Sequence, residues 1–197
     1  MNMIRLKLLP GLLALLYLTT AQAGEKHGLP IEGNPAAPVR VIVFEDLQCS
    51  DCAAFRRMTD EQLLPRYGKQ IALIHKDFPL AKHAWARRAA VAGRHLAALS
   101  PELGVRYRQY VMAHIPEIKV ENFQEKLAEF ARAQRADPDA AINALDDPEL
   151  AALVERDVQE GVARGVVKTP TVYVNGRPFI EQFAFEELAA AIDQALR

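Results

Sequence analysis

The apolar positions of this chain fall into three rhythms, and each predicts a different kind of element. Residues 39–44 (VRVIVF) form a short, β-branched, nearly continuous apolar run. Such a run suits a strand buried on both faces. Across residues 50–67 the apolar Ala53, Ala54, Phe55, Met58, Leu63 and Leu64 recur near helical spacing, with Pro65 to kink or end the helix and Gly68 to stop it. Residues 70–78 (QIALIHKDF) alternate and predict a second strand. Residues 81–99 are Ala-rich with few breakers and predict a long helix. Helix starts then recur. Ser100 precedes Pro101, Asn122 with Glu125 resembles a capping box, and Asp137-Pro138 and Asp147-Pro148 repeat the cap-then-proline pattern. Several helices are therefore expected before about residue 164. Residues 171–174 (TVYV) read as a strand, and Asn175-Gly176 as a two-residue hairpin turn. Residues 177–181 form the return strand, and residues 184–196 a closing amphipathic helix. The order is strand, helix, strand, helical block, hairpin, helix. Its first β-α-β unit is expected to be parallel and right-handed.

The N-terminus follows a different pattern. Arg5 and Lys7 precede an apolar run over residues 8–18, broken only by Pro10 and Gly11, and Ala21-Gln22-Ala23 offers small residues at peptidase spacing. Residues 1–23 are read as a secretory signal peptide cleaved after Ala23, with an uncleaved anchor as the alternative. The run is short of the roughly 20 apolar residues a membrane span needs. Residues 24–38 are rich in Gly and Pro and are expected to form a linker or extended arm. Half the chain is apolar and a quarter charged, as in soluble globular proteins. Its length suits one domain with a substantial insertion, large enough to bury a core without covalent staples. The formal net charge of −1 gives no basic excess for gripping phosphates, which argues against nucleic-acid binding.

Export changes the meaning of the cysteines. There are two, Cys49 and Cys52, set between the first strand and the first helix. In an oxidising compartment a lone pair means a disulfide, permanent or cycling. Residues three apart on a helix have neighbouring β-carbons, within reach of a disulfide after small adjustments. A helix start also presents free N–H groups and a partial positive charge, which lower the pKa of a thiol placed there. Cys49 is then the nucleophile and Cys52 the resolving thiol, with no cofactor required. Two alternatives remain. A zinc half-site would need partners among His27, His75, His83, His95 and His114, and none repeats a paired metal spacing. A static disulfide would close a very small loop and constrain the unfolded chain least.

The residues around the pair resemble a known family. Phe44-x-Asp46-x-x-Cys49-x-x-Cys52-x-x-Phe55 is similar to the active-site segment of DsbA-like thioredoxin-fold proteins, a family of exported thiol-disulfide oxidoreductases. Residues 168–176 (KTPTVYVNG) resemble its second landmark, and Asp77-Phe78-Pro79-Leu80 with His83 resembles the start of its inserted helical subdomain. The resemblance implies an α/β thioredoxin fold over residues 39–197, a central mixed sheet flanked by helices, with an all-helical insertion at roughly 81–164. It implies that Pro170 is cis and packs against the cysteines, and that the Thr169 backbone pairs with an extended substrate. It also implies protein thiol or disulfide substrates, a redox-recycling partner that can be membrane-bound, a monomer, and a periplasmic or other extracytoplasmic location. A non-catalytic binding module on the same fold, handling metal or acting as a chaperone, is the alternative.

This chain departs from the family pattern at several positions. Ser50 replaces the usual proline after the first cysteine, and Asp51 stands where strongly oxidising members carry histidine. The Asp51 carboxylate is expected to raise the Cys49 pKa and make the couple more reducing than the roughly −120 mV of DsbA itself. Val43 is apolar where many thioredoxin-like proteins carry a buried acid that moves protons, which leaves Glu45 and Asp46 as candidates. His75 and His83 receive no role. Trp85, Tyr107 and Tyr110 are read as core, and Arg87, Arg88 and Arg94 as a solvated helix face.

Overall fold

The computed structural model describes residues 30–197. The expected signal peptide and the first part of the arm lie outside the described residues. Five strands form one sheet: β1 (Ile31–Gly33), β2 (Val39–Glu45), β3 (Ile71–Asp77), β4 (Thr171–Val174) and β5 (Arg177–Ile180), in the order β1-β3-β2-β4-β5. β2 and β3 run parallel, and the other neighbours are antiparallel. The segment read as an arm thus includes a short edge strand, whose Glu32 stands opposite Leu73 of β3.

β2 is central, and its continuous apolar run has a use on each face. Val39, Val41 and Val43 pack with Phe55, Leu63, Leu188 and Ile192. Phe44 turns the other way, onto Phe78 and Val166. β3 alternates in sequence yet is buried almost throughout, because its polar positions His75 and Asp77 are enclosed rather than solvated.

Residues 50–67 form one helical path in three parts: α1 (Ser50–Met58), a π-helical turn (Thr59–Leu63) and α2 (Leu64–Tyr67). Pro65 lies in the first turn of α2, where a missing N–H costs least. Between β3 and β4 the chain forms α3 (Ala86–Leu99), α4 (Pro101–Ala113), α5 (Phe123–Ala133), α6 (Pro138–Asn143) and α7 (Pro148–Ala163), before α8 (Phe185–Ala195) closes the fold. The caps at Ser100, Asp137 and Asp147 each accept backbone N–H groups of the helix that follows. Asn122 does not cap α5. Its Oδ1 accepts from the Lys119 N–H at 2.7 Å, and its amide donates to the Glu117 carbonyl. α3 starts at Ala86, later than the Ala-rich run suggests, because the preceding residues are fastened to the cysteine loop (below).

The helices enclose a second core, built on Leu47, Trp85, Leu96, Tyr107, Phe123, Leu127 and Phe130, with Cys52 at its margin. Trp85 stacks on Phe123 with centroids 6.0 Å apart. A mixed sheet covered by helices, with a helical insertion between β3 and β4, is the thioredoxin arrangement that the motifs imply.

Candidate active site

β2 ends at Glu45, and the next residues deliver the chain to α1. Asp46 governs this corner. Its Oδ1 accepts from the Gln48 N–H at 2.7 Å. Its Oδ2 accepts from the Leu80 N–H at 2.7 Å and meets His83 Nδ1 at 2.8 Å. One buried carboxylate therefore ties the cysteine loop to the turn that precedes α3, and the Gln48 side chain adds a bond from the Trp85 N–H at 2.9 Å.

Cys49 is the N-cap of α1, in extended conformation, and Cys52 lies in the first turn. The cysteines are unbridged. Cys52 is fully buried, and its sulfur accepts from the Asp46 N–H at 3.4 Å. Cys49 sits at the edge of a cavity of about 370 Å³ lined by Asp51, Leu80, Lys82, Val167 and Thr169. Its thiol donates to the Thr169 carbonyl at 3.4 Å. The Thr169–Pro170 peptide is cis, and the Cys49–Thr169 bond brings the two landmark motifs together at the sulfur.

The two thiols are driven apart. The Cys52 thiol donates to the Cys49 sulfur and does most to lower its pKa. Burial opposes this, while the Thr169 hydroxyl and the N–H groups of Cys52 and Asp51 add to it, and Cys49 is held at about 5. The Thr169 hydroxyl is buried and its oxygen has no hydrogen-bond partner, so its proton is free to turn toward the Cys49 sulfur. Asp51 thus acts on Cys49 through its backbone N–H, and the donors outweigh the rise expected from its carboxylate. Burial pushes Cys52 up, assisted by its hydrogen bond to Cys49, the Cys49 charge and the negative charge of Glu45.

Glu45 and Asp46, the acids singled out in the sequence, are both buried. Glu45 Oε1 meets His75 Nδ1 and Arg108 Nη1, each at 2.8 Å. Arg108 also reaches Asp77, which Arg94 reaches from α3 while bonding Asp157 of α7. Arg94 is therefore buried, not part of a solvated helix face as expected; Arg87 is the exposed one and pairs with Glu155 at 2.6 Å. Glu32, Arg56 and Arg108 escaped the sequence reading. The available signal was a charged residue on an apolar helix face: Arg108 follows Tyr107 and shares its burial with Leu103, Gly104 and Val111. Among the described residues, no group of three or more His, Cys, Asp or Glu side chains is arranged to hold a metal ion.

Comparisons with known proteins agree with this geometry. The chain is 25% identical over 169 residues to a Na(+)/H(+) antiporter NhaA of Herminiimonas arsenicoxydans, covering 85% of this chain and 25% of that protein. It thus spans about a quarter of the length of the antiporter relatives it matches. It is 24% identical over 185 residues to the disulfide bond formation protein D of Bacillus subtilis, covering 86% of this chain and 78% of that one. The crystal structure of oxidised BdbD from Bacillus subtilis superposes with a TM-score of 0.73 at 22% identity, over 85% of this chain and 92% of that one. Residues 26–194 match the family described as Thioredoxin. With that match covering most of its length, the chain belongs to the thioredoxin family, and its helical insertion between β3 and β4 gives it a fold similar to that of BdbD.

Proposed function

We propose that this protein is an exported thiol-disulfide oxidoreductase that exchanges disulfides with protein substrates through Cys49 and Cys52. The observation that carries the proposal is the opposed state of two neighbouring thiols: Cys49 low at about 5 and beside the cavity, Cys52 high and buried. At neutral pH the first is a thiolate ready to attack or to leave, and the second keeps its proton until it is needed. In the reductive direction the Cys49 thiolate attacks a substrate disulfide and one substrate sulfur departs as thiolate. Cys52 then attacks the Cys49 sulfur, the internal disulfide forms, and the second substrate sulfur is released reduced. The oxidative direction is the reverse.

Thr169 and Pro170 form the substrate-binding side. The Thr169 backbone beside Cys49 offers an edge for an extended chain, and Val167, 76% exposed, adds apolar surface at the same rim. The likeness to a protein named for disulfide bond formation supports this reading. Location outside the cytoplasm rests on the pattern of residues 1–23, and a redox partner would restore the pair after each turnover.

The test is a pair of variants in insulin reduction and in oxidative refolding of a reduced protein. Cys49→Ser is expected to lose all activity, and Cys52→Ser to accumulate mixed disulfides with substrate. A folded wild-type protein inactive in both assays overturns the proposal.

A further inference from the structure

Cys52 has to lose a proton each time it closes the disulfide and regain one each time the disulfide opens. It is 0% exposed, so water does not reach it directly. The nearby groups follow a line. Cys52 Sγ accepts at 3.4 Å from the Asp46 N–H, which belongs to the peptide joining Glu45 to Asp46, and the Glu45 charge helps to raise the Cys52 pKa. Glu45 Oε1 is 2.8 Å from His75 Nδ1, and the other ring nitrogen, Nε2, is 2.8 Å from Glu32 Oε1. His75 is itself 1% exposed. An ionised carboxylate only accepts hydrogen bonds, so a histidine between two of them needs a proton on each nitrogen, or shares one with a carboxylate. The line ends at Glu32 of β1. That residue lines an open groove of about 940 Å³ with Ile31, Leu64, Arg66, Lys69 and Arg106. The groove shares no lining residue with the cavity at Cys49.

We infer that Glu45, His75 and Glu32 form a proton relay for Cys52, opening to water in the groove at the β1 edge and not at the mouth of the active site. The inference rests on the proposed exchange reaction and assigns Glu32 and His75 a positioning role in it.

The steps balance. As Cys52 attacks the Cys49 sulfur, the Cys49–Cys52 bond forms and the bond from Cys49 to the substrate sulfur breaks. That sulfur leaves as thiolate with the electron pair, so Cys52 is oxidised and the substrate sulfur reduced. The Cys52 proton passes to Glu45, His75 gives its Nε2 proton to Glu32, and Glu32 gives one to water. One proton enters the chain and one leaves, so its total charge is unchanged. When the disulfide opens, Cys52 departs as a thiolate, takes the proton back from Glu45, and a proton enters through Glu32.

The surroundings tune this path. Arg108 from α4 touches Glu45 and Asp77, and Arg56 from α1 touches Glu32 and Asp60. Burial raises Glu32, but His75 and Arg56 prevail and hold its carboxyl at about 2, so it stays charged and hands protons on to water. Burial lowers His75, but Glu45 and Glu32 prevail and raise it, which favours the protonated imidazole.

The test isolates the Cys52 step. Reduced protein mixed with oxidised glutathione reacts in two phases: Cys49 forms the mixed disulfide, then Cys52 releases glutathione. Acid-quenched samples resolve both by mass. Glu32→Ala is the main variant because it lies at the groove, and Glu45→Gln tests the inner end where it folds. Glu32→Ala is expected to keep the first phase and slow the second about tenfold at neutral pH, below the usual range for direct acid–base groups. Formate, small enough for the groove, is expected to restore the second phase without changing the first. A folded Glu32→Ala with a wild-type second phase overturns the relay. So does a slowed second phase that formate leaves slow, which marks a purely structural role. A wild-type protein that forms the mixed disulfide and never resolves it overturns the exchange reaction itself, and the relay with it.

Discussion

At Cys49 the decisive groups are donors. A thiolate at a helix mouth gains from every N–H or O–H aimed at it, and here the Cys52 thiol, the Thr169 hydroxyl and two backbone N–H groups all contribute. Because the pKa is lowered from 9.0 to about 5, this stabilisation of the reduced protein is full above pH 9, shrinks as pH falls, and is gone below about pH 5. The alkylation rate of Cys49 is therefore expected to rise with pH about a midpoint near 5. A pKa of about 5 lies between roughly 3.5 for DsbA and 7 for thioredoxin, so the potential is expected between about −120 and −270 mV. Thr169→Val removes one donor and keeps the shape. It is expected to raise the Cys49 midpoint by about half to one pH unit, the worth of one hydrogen bond, and to make the couple more reducing. Thiolate absorbance followed against pH checks it, and an unmoved midpoint would show that the hydroxyl does not face the sulfur. The sequence pointed to Cys49 and to Pro170, but it put weight on the Asp51 carboxylate. Side-chain charge can be read from a sequence, whereas the direction of a backbone N–H depends on the loop that Asp46 ties.

Among the elements, α3 and α4 pack closely against each other through a glycine. A β-carbon built on Gly104 would lie 2.6 Å from Cβ and 2.9 Å from Cα of Ala97, inside any normal contact. Relief would require one helix to move off the other. Gly104→Ala is expected to destabilise the fold by about 1–3 kcal/mol, against the small gain alanine gives in an open helix. Urea denaturation measures it, and a neutral or stabilising result would mean the helices separate freely. Local signals predicted the helix starts well: Ser100, Asp137 and Asp147 all cap, because a cap and its proline concern neighbours in sequence. Asn122 carries the same letter pattern and fails, since a turn at Glu117 and Lys119 claims its side chain first. The π-helical turn at Thr59–Leu63 left no local mark either. Leu63 is fully buried against Val39 and Leu188, contacts the sequence does not reveal.

Across the whole molecule, the sheet and the helical insertion are joined by charge as well as by apolar packing. Glu45 and Asp77 stand directly opposite each other on β2 and β3, both buried, an arrangement that is repulsive by itself. Arg108 from α4 resolves it by bonding both, and Arg94 from α3 takes the other oxygen of Asp77 while reaching Asp157 on α7. These partners are far apart in sequence, which is why Arg94 reads as an ordinary helix-surface residue until the fold closes around it. Replacing a buried pair wholesale can be neutral, whereas removing one member strands the other without compensation. Arg108→Met keeps much of the apolar stem and removes the charge between the two carboxylates. It is expected to cost about 3–5 kcal/mol, read as a lower urea midpoint. Arg87→Met, at the exposed pair with Glu155, is expected to cost at most about 1 kcal/mol. If the two variants lost similar, small amounts, the insertion would be held on the sheet by its apolar core alone. A large loss confined to Arg108→Met would instead show that the carboxylates behind the cysteines also fasten the two halves of the fold.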